Sequence, residues 1–174
     1  GGIDLMVEVP PDSVATFAGD GSYQVHEQAG PHVWFLIFNV KEGPLVDKKV
    51  RQAVNYAINK KALVENVLQG TAEVAAGPTP PAFSWAYNDS LSPYPYDPEK
   101  AKALIKEAGH EGAEMTFYVT EGGSGMLDPV PMGAAIQADL AKVGLKVEIE
   151  TYEWNTFLGK VNPGLEGKAD MAEM

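Results

Sequence analysis

The chain contains no cysteine. That removes disulfide frameworks, thiolate metal sites and cysteine nucleophiles, and leaves the compartment open. No apolar run approaches the ~18–20 residues of a membrane span. Cationic residues are scarce, 13 Lys and Arg against 24 Asp and Glu, for a net charge of -11. Such a charge repels phosphate backbones and anionic bilayers, so neither nucleic acid nor a membrane surface is an expected partner. There are only three histidines, His26, His32 and His110, and none shares a helical face or short spacing with another ligand. No metal site is expected from them.

Catalytic signatures are missing as well. The glycines around Ser124 suggest a nucleophile elbow, but that motif needs glycine two residues on, where Met126 stands. No P-loop lysine follows those glycines and no dinucleotide fingerprint is present. Glu148 and Glu150 sit at strand spacing and read as surface charges, not as a general acid and base. A hydrolase built on Glu121 or Asp128 would lack a paired partner. No catalytic residue and no cofactor are expected.

What is present is an ordinary globular composition, 174 residues with 45% hydrophobic and 21% charged. This suits one α/β domain or one lobe of a larger protein. No leader segment is visible, and both ends read as strands already inside a domain, so an excised piece is expected. Alternation predicts strands over 3–9 and 23–29, with a short helix opened by Pro10-Pro11 between them. The run Val33-Trp34-Phe35-Leu36-Ile37-Phe38 predicts a strand within 32–40 buried on both faces. Asp47 caps a helix whose Val50, Ala53, Val54, Ala57 and Ile58 fall on one face. A second helix follows Asn59 and stops at Gly70.

Residues 71–96 are rich in proline and aromatics and read as a long irregular segment. Its Trp85, Tyr87, Tyr94 and Tyr96 are expected to pin it to the domain rather than to stack on sugar. Beyond it, Asp97-Pro98-Glu99 starts a helix. From residue 114 onward the order reads β, α, β, α, β: a crossover unit, with helices on a mostly parallel sheet. The strand over 145–151 alternates apolar with charged residues and has one wet face.

Three blocks carry a resemblance. The first is Trp34 to Asn39, Pro44, Asp47 and Val50 to Lys60. The second is Gly77-Pro78-Thr79-Pro80-Pro81, Tyr94 to Leu104 and Glu107-Ala108-Gly109. The third is Ile136 to Gly144, Tyr152-Glu153-Trp154 and Phe157-Leu158. Their order and spacing closely resemble the family-5 solute-binding proteins that serve dipeptide, oligopeptide and nickel ABC importers.

The resemblance implies a lobe of the type II periplasmic-binding-protein kind, with a mixed, mostly parallel sheet flanked by helices. Residues 31–174 would be the C-terminal ligand-binding lobe, incomplete at its end, and residues 1–30 a hinge or first-lobe remnant. It implies a monomeric, periplasmic or extracytoplasmic binding component, with a lipid anchor left open, that closes on a peptide or similar solute and delivers it to membrane permease subunits. It implies ligand contacts from Trp154 and from the edge formed by Thr120, Glu121, Gly122, Gly123 and Ser124. In dipeptide-binding relatives that loop carries a basic residue that pairs with the ligand carboxylate. Here residues 121–126 have none, which leaves longer peptides, opines, oligosaccharides or a metal chelate open. A ligand-sensing domain of a transcriptional regulator with the same fold is the rival reading.

Overall fold

The computed structural model describes residues 2–123 and 125–174. Helix α1 spans Pro11–Gly19, with proline in its first turn. The short strand β1, Leu36–Phe38, follows, then a 3-10 turn at Pro44–Val46. Helix α2, Lys48–Ala57, is capped by Asp47, whose side chain accepts the Lys49 N–H at 2.7 Å. Val50, Ala53, Val54 and Ala57 are its buried face. Asp47→Ala is expected to cost about 1 kcal/mol by leaving that amide without its cap, readable as a lowered unfolding midpoint. Asn59 caps the next helix, α3 (Lys60–Ala62), which continues into a π-helical turn at Leu63–Val67.

Residues 71–97 hold no helix or strand. Helix α4 is Pro98–Glu107 and buries Ala101 and Ile105 against α2. Then come β2 (Glu114–Thr120), α5 (Pro129–Lys142), β3 (Lys146–Tyr152), α6 (Trp154–Val161), a 3-10 turn at Leu165–Gly167, and β4 (Met171–Glu173). The predicted crossover unit is therefore present in the predicted order.

The sheet order is β1-β4-β2-β3. β2 runs parallel to both β3 and β4, while β1 pairs antiparallel with β4. Because side chains alternate across a strand, β2 feeds two cores. Met115, Phe117 and Val119 enter the larger one, with α2, α4 and α5; Tyr118 enters a smaller one with Phe157, Val161 and Leu165. β3 lies at the sheet edge and exposes Lys146, Glu148 and Glu150, the wet face expected of it. Asp139, nearly buried on α5, accepts the Asn59 N–H at 2.8 Å and the Lys142 ammonium at 2.8 Å, which ties the α2–α3 corner to α5.

Four expectations need correction. Residues 3–9 and 23–29 form no strands. Ile3, Leu5 and Val7 are 77%, 83% and 76% exposed; alternation predicts which side chains share a face, but a strand also needs a neighbouring backbone, and among the described residues these segments have none. The run at 33–38 is only half-buried: Trp34, Leu36 and Phe38 pack against one core and Ile37 against the other, while Phe35 is 48% exposed. Trp85 does not pin its loop, since it is 85% exposed, although Tyr94 does pack edge-on against Tyr56 with ring centres 5.0 Å apart.

Candidate ligand-binding site

In open α/β sheets ligands sit beyond the carboxyl ends of the parallel strands. Here those ends are Thr120 on β2, Tyr152 on β3 and Glu173 on β4. Thr120 is fully buried. Its hydroxyl donates to the Gly122 carbonyl at 2.6 Å and accepts from the Gly122 N–H at 3.3 Å, which turns the chain out of the sheet. The Glu121 N–H donates to the Tyr152 carbonyl at 2.8 Å, so the loop leaves β2 still joined to β3.

Trp154 opens α6 on the far side of that loop. The helix start is held by Glu153, whose carboxylate accepts the Asn155 and Thr156 N–H groups. The indole stacks on Phe157 at 5.9 Å with an interplanar angle of 14°. It also lies flat on Gly123: a Cβ there would come within 2.5 Å of Trp154 Cε3. A side chain at position 123 would have to displace the ring. The structure thus brings Thr120, Glu121, Gly122, Gly123 and Trp154 to one edge, while Ser124 lies outside the described residues.

Three residues that the sequence did not single out as site residues join this edge. The His32 ring lies over Gly125. Glu173 is fully buried, and its Oε1 accepts the Thr120 N–H at 3.0 Å. Burial pushes this carboxyl up to about 8, against the opposing pull of the Thr120 N–H. Its Oε2, and the Trp34 indole N–H, are buried without partners among the described residues. A lone acid in the run Met171-Ala172-Glu173-Met174 was the available signal.

No cation comes from residues 121–126, and among the described residues no three His, Asp or Glu side chains gather as a metal site. A groove of about 420 Å³ at the opposite, amino ends of β2 and β3 is lined by Glu114, Lys146 and Glu148. Glu114 and Lys146 pair there at 3.1 Å while both stay largely exposed. That groove is a solvated sheet edge. The carboxyl-end edge offers the Trp154 indole and the backbone of the loop, while the Thr120 hydroxyl is engaged by Gly122.

Residues 1–173 match the sequence pattern of the family described as "Bacterial extracellular solute-binding proteins, family 5 Middle". The chain belongs to that family. This family-5 chain is 40% identical over 166 residues to heme-binding protein A of Haemophilus influenzae, covering 94% of the chain and 30% of that protein. It is 42% identical over 159 residues to the dipeptide-binding protein of Escherichia coli, covering 88% of the chain and 29% of that protein. In structure it is similar to the periplasmic binding protein DppA of Helicobacter pylori in complex with peptide STSA, with a TM-score of 0.81 and 32% identity over 94% of this chain and 30% of that one. The family-5 chain thus spans about 30% of the length of these relatives. Its mixed sheet with flanking helices is the periplasmic-binding-protein type of fold expected from the sequence.

Proposed function

We propose that this chain is the ligand-holding part of a substrate-binding component of an ABC importer, and that its ligand is a peptide. The observation that carries the reading is the coincidence of two things. The relatives include a dipeptide-binding protein and a structure holding a peptide, and the carboxyl-end edge here gathers Trp154, Gly123 and the turn at Thr120 where open α/β sheets take their ligands. The ligand would lie against Trp154 and the edge from Thr120 to Gly123, with Ser124 beside it. Residues 31–174 would form the binding lobe and residues 1–30 the hinge or a remnant of the other lobe, closing together over the solute. The component would work outside the cytoplasm as a monomer and hand its solute to permease subunits, with no enzymatic step.

The test is a thermal-shift screen of the full-length protein against di- to pentapeptides, with heme, a nickel–histidine chelate and an oligosaccharide alongside. A ligand at ~100 times its dissociation constant should stabilise the protein by ~2.7 kcal/mol. A shift with peptides is the expected result. A shift with heme alone would follow the heme-binding relative and discard the peptide, and no shift from any probe would discard the peptide and move weight to a regulator or to an untested solute. Trp154→Ala is expected to weaken peptide binding by ~5–30-fold, the loss of one aromatic anchor of about 1–2 kcal/mol. An unchanged affinity in calorimetry would assign the indole to core packing against Phe157 alone.

A further inference from the structure

Two buried polar atoms have no partner among the described residues, Trp34 Nε1 and Glu173 Oε2. They lie on the same face of the sheet. Leu36 stands directly opposite Glu173 in the antiparallel β1–β4 pair, and Phe35 and Met174 exchange backbone hydrogen bonds beyond it, at 2.6 and 2.9 Å. Trp34, two residues before Leu36, therefore shares the Leu36 face. It is the diagonal neighbour of Glu173, within reach of a long side chain. Both sit at the carboxyl end of β4, where Thr120 hydrogen bonds to Glu173 and the loop of the candidate site begins.

We infer that Trp34 and Glu173 form a paired hydrogen-bond donor that takes a carbonyl or carboxylate oxygen of the ligand. This rests on the peptide-binding reading above. An indole N–H can only donate. Burial raises the Glu173 carboxyl to about 8, so at neutral pH its second oxygen carries a hydrogen and also donates. Two buried donors without an acceptor cost free energy until one arrives. Residues 121–126 supply no cation, so an oxygen arriving at this edge meets neutral donors in place of a positive charge. Both donors are buried beside the residue from which the loop starts.

The test is calorimetry on the full-length protein with Ala-Ala and its carboxy-terminal amide as probes. The variants are E173Q, which keeps a donor, E173L, which removes it, and W34F. E173Q should bind within about threefold of wild type, while E173L and W34F should each lose about tenfold, the effect of one buried hydrogen bond. E173L removes a costly buried acid but also leaves the Thr120 N–H without its acceptor, so the unfolding midpoint of each variant is measured beside its affinity, and E173Q, which keeps that acceptor, is the variant that isolates the donor. A loss seen only with the free acid assigns the oxygen to the carboxylate; an equal loss with both probes assigns it to a peptide carbonyl. E173L and W34F binding like wild type would mean that the pair holds only a water, and E173Q as weak as E173L would mean that the carboxylate accepts instead. Either result overturns the inference alone. If wild type binds neither probe, the shortest peptide that gives a shift in the di- to pentapeptide screen and its amide replace them, and no shift with any peptide fails the peptide reading and this inference with it.

Discussion

Between pH 4.5 and pH 8 the stability of wild type is expected to fall steadily behind that of E173Q. Glu173 holds its proton in the folded chain up to about 8, whereas an exposed glutamate releases it near 4.5. Across that window the native state binds one more proton than the unfolded state, so each rise in pH favours unfolding, by at most ~1.4 kcal/mol per unit. Below the window both states are protonated and the penalty is absent. Above it both are ionised and the penalty is constant. The cause is desolvation: among the described residues the carboxyl has the Thr120 N–H as donor and no cation that offsets the loss of water. Glutamine has a similar shape and does not titrate, so the difference between the two proteins removes every other group's contribution. Urea unfolding of both proteins at several pH values reads it directly. Two parallel stability curves would show that the acid is solvated or already ionised in the native chain.

The residues behind that prediction were the hardest to read in the sequence. A glutamate near the end of an apolar strand reads as a wet face, as Glu148 and Glu150 do correctly on the edge strand β3. On β4 the same residue type is enclosed, because β4 lies between β1 and β2. Which strand becomes central is decided by pairings between distant segments, Leu36 with Glu173 and Phe117 with Met171. No local pattern encodes them. The meeting of Trp34 with Glu173, and of His32 with Gly125, is of the same tertiary kind. The elements that were legible carry their own local physics. Asp47, Asn59 and Asp97 each cap a helix with a side-chain oxygen, and the spacing of apolar residues along α2 matches its buried face. The edge around Thr120, Gly123 and Trp154 came from the family resemblance, and its contacts depend on Gly123 leaving room for the indole.

Aromatic residues show the same division, and a pair of substitutions measures it. Phe117→Ala is expected to cost about 3–5 kcal/mol, the range for truncating a buried aromatic and leaving a cavity. Phe117 is fully buried at the centre of β2, paired on one side with Ile149 of β3 and on the other with Met171 of β4, while α5 covers it. Its neighbours belong to a hydrogen-bonded sheet and cannot collapse freely into the gap. Trp85→Ala removes a larger side chain yet should change stability by no more than ~0.5 kcal/mol, because that indole is 85% exposed. Domains of this kind are held by roughly 5–15 kcal/mol in total, so the first change should leave a marginal fold and the second an unaltered one. Chemical denaturation of the two variants, compared with wild type at one pH, tests both. A loss at Trp85 comparable to that at Phe117 would mean that the proline-rich segment is part of the core after all, and a small loss at Phe117 would mean that the sheet repacks around the cavity more readily than its pairings allow.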